Sequence, residues 1–164
     1  MASSKTEFIE PIDSPNRRRL PLLLRRAWYG LNQAFRRRIA HLQVTPDQFT
    51  VMRTLLEGDA RGLTQRELAR LMSSDPNTVA SLLERMDKAG YIERQPHERD
   101  RRAHRIRLLP KGKKTYEAAR AIALTLQGEL LSVLPESARE DFLENLAHVA
   151  EACRDAAEQR KFDK

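Results

Sequence analysis

"TQRELARLMSSDPNTVASLLERMDKAGYIERQPHERDRRAHRIRLL", residues 64–109, changes its period twice, and those changes decide the fold. It opens on "TQRE" (64–67), a capping box in which a threonine and a glutamate three residues later each satisfy an orphan N–H of a starting helix. Behind the box, Leu68, Leu71 and Met72 are spaced to face inward. "SSDP" (73–76) then interrupts, with Asp75 suited to an N-cap and Pro76 to the first helical position. Val79, Leu82, Leu83 and Met86 form the apolar stripe of the next helix, and Gly90 ends it. Beyond it, "YIER" and "RIRLL" alternate in character, as the strands of a hairpin with a long tip do. Helix, tight polar turn, helix and hairpin predict a winged helix-turn-helix: a mainly α (α+β) fold with a two-stranded β wing.

The hairpin tip sharpens the reading. "QPHERDRRAHRIR" (95–107) sets five arginines and two histidines against two acids. Surface ion pairs to Glu98 and Asp100 recover little of that mutual repulsion. A narrow minor groove offers the negative potential that attracts arginine, whereas a merely solvated loop gives the charge no task. On the helix before the hairpin, the face opposite the apolar stripe carries Asn77, Thr78, Ser81, Arg85 and Lys88, with Glu84 the lone acid. Short polar groups near a helix start suit base edges in a major groove, and an ordinary solvated face equally. The helix start is also expected to offer free N–H groups and a positive dipole end to a phosphate. The expected DNA face comprises Thr64, Gln65, Arg66, Pro76, Asn77, Thr78, Ser81, Arg85, Arg99, Asp100, Arg101, Arg102 and Arg105.

Outward from this core, the charge is uneven. Of 164 residues, 1–46 hold nine Lys/Arg against three Asp/Glu and 47–114 fifteen against ten, while 115–164 reverse to six against ten. A basic front and middle favour a polyanion on one side. Residues 1–19 read as a flexible basic arm ending in Arg17, Arg18 and Arg19. Residues 20–44 form a long amphipathic helix with Leu24, Trp28, Leu31, Phe35, Ile39 and Leu42 on one face. "TPDQ" (45–48) is a second capping box, ahead of Phe49, Met52, Leu55 and Leu56. The DNA-binding domain is expected over 45–109. In 110–164 two further helices carry Tyr116, Ala119, Ala123, Leu126, Leu130 and Val133, then Phe142, Leu146, Val149 and Cys153. The stripes at both ends exceed what so little other protein covers, which calls for a partner surface. No apolar run is long enough to span a membrane, and no signal peptide is evident, so a cytoplasmic protein is expected.

Residues 63–114 resemble the winged-helix core of the multiple-antibiotic-resistance regulator (MarR) family. "DRRAHRIRLLPKG" (100–112) carries the Asp-x-Arg wing signature, the alternating strand and the Lys-Gly that opens the next helix, and "LERMDKAGYIER" (83–94) fits the end of the family's recognition helix. With the flanking helices, the likeness covers residues 20–160. It implies a bacterial transcription regulator, often a repressor, that binds double-stranded DNA as a homodimer whose first and last helices interlock. It further implies that Asp100 orients Arg102, that the wing arginines enter the minor groove, and that Asn77, Thr78, Ser81 and Arg85 face the major groove.

Many members of the family release DNA when a small aromatic or phenolic effector binds between the DNA-binding part and the dimer helices. Trp28, Tyr29, Phe35, His41, Phe49, Met52 and Arg53 are the residues suited to such a pocket, although aromatics at helical spacing also suit an ordinary core. Sensors of urate-like ligands place an acid where this chain has Thr50. Peroxide sensors carry a cysteine near the N-terminus, whereas Cys153 follows the last apolar stripe and is expected to be buried and inert. His41, His97, His104 and His148 have no compact ligand spacing, so no metal and no cofactor are expected. Without a phosphate loop, an HExxH pair or a nucleophile elbow, the chain does not read as an enzyme. A module for RNA or single strands would display stacking aromatics, which the reading helix and wing loop lack.

Overall fold

The structure, a computed structural model, describes residues 14–15, 19–96 and 103–159. Most of the expected basic arm and the wing tip with Arg99, Asp100, Arg101 and Arg102 lie outside the described residues. The elements run α1 (Leu20–Ile39), α2 (Pro46–Glu57), β1 (Leu63–Thr64), α3 (Gln65–Leu71), α4 (Pro76–Lys88), β2 (Ile92–Pro96), β3 (His104–Leu108), α5 (Pro110–Leu131) and α6 (Arg139–Gln159). Short 3-10 turns at Ala40–Leu42 and Glu136–Ala138 follow α1 and precede α6. The chain divides into two units between Arg120 and Ala121.

The caps form where the side chains dictate. Thr45 Oγ1 accepts from Gln48 N at 3.2 Å, while Gln48 Oε1 accepts from Thr45 N at 2.9 Å. Thr64 and Glu67 repeat the exchange at the start of α3. Asp75 accepts from Asn77 N at 2.8 Å and Thr78 N at 3.2 Å to start α4. Between α3 and α4 the chain turns through Ser73, whose φ of 50° is left-handed. Ser74 N donates to Ala69 O and Ser73 N to Arg70 O, so the carbonyls at the end of α3 find donors inside the turn.

The core of the first unit lies under α4. Val79, Leu82, Leu83 and Met86 are buried along its inner face, each worth roughly 1.5–3 kcal/mol relative to exposure. Buried with them are Leu68 and Ala69 of α3, Phe49, Val51, Met52 and Leu55 of α2, and the strand residues Leu63, Ile92 and Ile106. Two expectations differ. Leu71 is 50% exposed, because the buried side of the two-turn α3 is centred between Leu68 and Ala69, and at 100° per residue Leu71 points well away from it. On α2, Val51 is fully buried and Leu56 exposed, so the stripe runs through Val51 instead.

The sheet has three strands, in the order β1-β3-β2, not the wing pair alone. β2 and β3 pair antiparallel in the expected hairpin, with Ile92 opposite Leu108 and Pro96 opposite His104. β1 adds two residues on the other edge of β3, Leu63 opposite Ile106 and Thr64 opposite Arg105. A two-residue strand leaves no alternation in sequence to detect. What places it is Gly62, which holds φ +96° and sits so close to β3 that a Cβ would lie 2.6 Å from the Ile106 carbonyl oxygen.

In the second unit, the end of α5 and α6 leave much apolar surface uncovered within one chain. Leu124, Leu130, Val133, Phe142 and Leu146 are exposed. No residue from 139 to 158 is buried, and Cys153 is exposed rather than buried as expected. A helix stripe alone does not specify burial within the same chain. On α1 as well, only Phe35 and Ile39 are buried, while Leu20, Leu22, Leu23, Trp28 and Leu31 are exposed.

Gly62→Ala forces a side chain into a left-handed conformation and against the β3 backbone. It is expected to destabilise the first unit by about 1–3 kcal/mol, measured as a lower denaturant midpoint at unchanged slope.

Candidate nucleic-acid interface

α4 is held through one face and presents the other. Pro76, Asn77, Thr78, Ser81, Glu84, Arg85 and Lys88 are all exposed. Glu84 and Lys88 pair one turn apart, with Lys88 Nζ 2.7 Å from Glu84 Oε1, and this bond holds the Glu84 carboxyl below the usual carboxylate range. The pair neutralises the one acid among the outward residues and leaves Arg85 without an acid partner among the described residues. Asn77, Thr78, Ser81 and Arg85 therefore stand together as short polar groups and one cation, ready to exchange water for base edges or phosphates.

The start of α4 differs from expectation. Asp75 occupies the N–H groups of Asn77 and Thr78, so these donors are taken by a carboxylate of the chain itself rather than left free for a phosphate. An aspartate cap and a bound anion compete for the same positive end of the helix. Selectivity on this face must rest on side chains.

α3 contributes its first turn. Arg66 is exposed, whereas Thr64 and Gln65 are partly committed. The Thr64 hydroxyl donates to Glu67 Oε2 at 2.8 Å while accepting from Glu67 N. Gln65 Nε2 donates to the Pro76 carbonyl at 3.3 Å, bridging the starts of α3 and α4. These two residues shape the face before they contact anything on it.

On the hairpin, Arg94 and Arg107 are exposed, and Arg94 Nε lies 3.3 Å from Asp87 Oδ2, tying β2 to α4. Arg105, expected as a DNA contact, is half-buried and donates from Nη1 to the Gly62 carbonyl at 2.9 Å. Beside it, Asp59 receives the Arg61 guanidinium at 2.8 Å and the Arg61 backbone N–H at 2.8 Å. These bonds, with the charges of Arg61 and Arg105, bring the Asp59 pKa down to about 2. Because the folded pKa is depressed, this tie is present at neutral pH and fades only as the pH falls below the ordinary carboxylate range toward 2. The base of the wing is thus clamped to the turn before β1. Arg99, Asp100, Arg101 and Arg102 lie outside the described residues.

The residues expected to form an effector pocket separate into two groups. Phe49 and Met52 are buried in the core. Phe35 meets Phe49 edge-on at 5.0 Å, Tyr116 stacks on Phe49 at 5.3 Å, and the Arg53 guanidinium lies 5.0 Å from the Phe49 ring centroid. Trp28, Tyr29 and His41 are exposed on and after α1, Trp28 and Tyr29 at 63% and 67%, and none of them takes part in the ring contacts found among the described residues. Tyr116 is the member that sequence reading assigned only to a helix stripe; its distance along the chain from Phe49 hides the stacking.

The sequence model of the MarR family matches residues 42–103, from the last residue of the turn after α1 to the residue before β3. The transcriptional regulator BilQ of Clostridium symbiosum is 34% identical over 98 residues, 58% of this chain and 68% of that protein. The transcriptional regulator HosA of Escherichia coli is 29% identical over 127 residues, covering 74% of this chain and 93% of that protein. Among solved structures, the repressor CouR bound to a 23-mer DNA duplex superposes with a TM-score of 0.73 at 28% identity, over 80% of this chain and 92% of that one. These relatives and the winged helix they share make the assignment: the chain belongs to the MarR family of transcription regulators.

Proposed function

We propose that this chain is a sequence-specific, double-stranded DNA-binding transcription regulator that acts in the cytoplasm as a homodimeric repressor. The observation that carries the reading is the outer face of α4, where Asn77, Thr78, Ser81 and Arg85 are exposed on the helix that precedes an arginine-rich stretch of sequence. In the proposed complex α4 enters the major groove, Arg66 and the first turn of α3 meet the backbone, and the wing with Arg99, Arg101 and Arg102, oriented by Asp100, enters the adjacent minor groove. Arg105 serves this arrangement mainly by holding the wing base.

The dimer reading rests on the apolar residues left exposed on α1, at the end of α5 and on α6. The proposed parts are the helix at 20–44 and residues 110–164 for dimerisation, with the DNA-binding domain at 45–109. For a small aromatic effector, the support is the ring cluster of Phe35, Phe49 and Tyr116 under the Arg53 guanidinium; a CouR structure bound to p-coumaroyl-CoA is a precedent within the fold. No helix among the described residues is long and apolar enough to cross a membrane.

Selection of bound genomic fragments, followed by mobility shift on duplex and single-stranded versions, tests the function. The selected site is expected to be palindromic, with half-site centres about 10 base pairs apart, and binding is expected to weaken steeply with salt. Preference for the single strand refutes it. Arg85→Ala is expected to leave the unfolding midpoint in place and to cost about 1–3 kcal/mol of specific binding per half-site. Arg105→Met is expected to weaken folding as well, by about 1 kcal/mol, because the Gly62 carbonyl loses a charged donor; calorimetry separates the two variants. Trp28 is the only tryptophan in the sequence. Its emission is expected to be that of a shielded indole at micromolar concentration and to shift to the red on dilution, and a spectrum independent of concentration that matches exposed indole refutes the dimer contact at α1.

A further inference from the structure

The far end of α4 is closed by a group from another helix. Tyr91 N and Gly90 N turn back to the Met86 and Asp87 carbonyls at 3.0 and 2.9 Å, and Ala89 N donates to Arg85 O at 3.1 Å. Gly90 makes this turn with φ +74°. The carbonyl of Ala89, the C-cap residue just after the helix, receives its donor from Lys111, whose Nζ lies 2.6 Å away. The same ammonium group stands 4.9 Å from the centroid of the Tyr91 ring. A cation here meets an orphan carbonyl, the negative end of the helix dipole and an aromatic face together.

Lys111 stands on the first turn of α5, and that turn is seated closely. Leu109 N donates to the Tyr91 carbonyl at 2.9 Å. Three residues on, a Cβ at Gly112 would lie 2.3 Å from the Tyr91 carbonyl oxygen and 2.6 Å from Leu108 Cδ1. The start of α5 therefore rests against the turn that follows α4 with no room for a methyl group, and Lys111 closes the contact from the side.

We propose that Lys111 is a positioning residue for DNA recognition, gripping the C-terminal end of α4 so that the helix keeps one tilt. This deepens the DNA-binding function proposed above and rests on it. The 13 residues of α4 span about 20 Å. A rotation of about 10° about the gripped end moves the opposite end, with Asn77 and Thr78, by about 3 Å, while base contacts tolerate only about 0.5 Å. Arg94 and Asp87 hold the same end of α4 through a second tie of 3.3 Å, so loss of Lys111 loosens the helix without releasing it.

The test compares Lys111→Met, which keeps the apolar stem and removes the donor, with Lys111→Arg and with Lys113→Met, which removes an exposed cation from the same turn. All three are made in the full chain. Each is titrated with the selected operator and with a scrambled duplex of equal length, and amide exchange is followed at Gly90 and Tyr91. Lys111→Met is expected to lower the ratio of operator to scrambled affinity about tenfold, the scale of one charge-assisted hydrogen bond. Lys111→Arg restores most of the ratio, and Lys113→Met changes it by less than about twofold, as loss of a screened surface charge does. A merely stabilising role lowers both affinities alike and leaves the ratio in place. Equal ratios in Lys111→Met and Lys113→Met overturn the proposal. Should the unaltered protein show no preference for any duplex, it is the DNA-binding function that fails. The grip is then judged by exchange alone: faster exchange at Gly90 and Tyr91 in Lys111→Met but not in Lys113→Met upholds it, and equal rates remove it.

Discussion

The position of β3 between two antiparallel partners is the constraint on which the first unit depends. It pairs with β2 along five residues and with β1 along two, and its inward residue Ile106 is buried together with Leu63 and Ile92. Because side chains alternate along a strand, a shift of one residue in either pairing would turn Ile106 out and arginine in. Arg105 and Arg107 flank Ile106, so the error would bury a charge, which costs several kcal/mol. That penalty fixes the register, the register fixes where the hairpin leaves the body, and α2 and α3 pack against the strand so placed.

Electrostatics then divides the basic residues by task. Arg105, Arg94, Arg61 and Lys111 are engaged with carbonyls or carboxylates of the chain, whereas Arg85 and Arg66 face outward from α4 and α3. A count of arginines makes no such distinction. The four engaged cations brace the frame, and Arg85 and Arg66 are the ones proposed to meet a polyanion. Asp75 belongs to the same division, since its carboxylate completes α4 while turning the helix start away from direct phosphate binding.

Much of this was legible in the sequence, for reasons that can be named. Both capping boxes, Asp75 and Gly90 act over three or four residues, and local chemistry is written locally. The stripe of α4 was legible because a 13-residue helix held through one face repeats its buried positions over three turns. Leu71 and Leu56 were misplaced because short helices meet the core at an angle that their own periodicity does not contain. β1 was invisible at two residues, and the stack of Phe49 on Tyr116, like the grip of Lys111 on Ala89, joins positions that only tertiary structure brings together. Cys153 shows the converse error: an apolar stripe records that burial is needed, not which chain supplies it.

The left-handed serine between α3 and α4 has a consequence for how such a protein diversifies. Ser73 sets the rotational phase of α4, and each residue added to or removed from the turn would rotate the helix by about 100°. Val79, Leu82, Leu83 and Met86 would then swing toward solvent while Asn77, Ser81 and Arg85 moved toward the core. Substitutions on the outer face leave the core untouched, whereas a change in turn length exchanges one face for the other. Descendants of this chain are therefore free to alter the outer face of α4 by point replacement, and are barred from altering it by insertion at the turn.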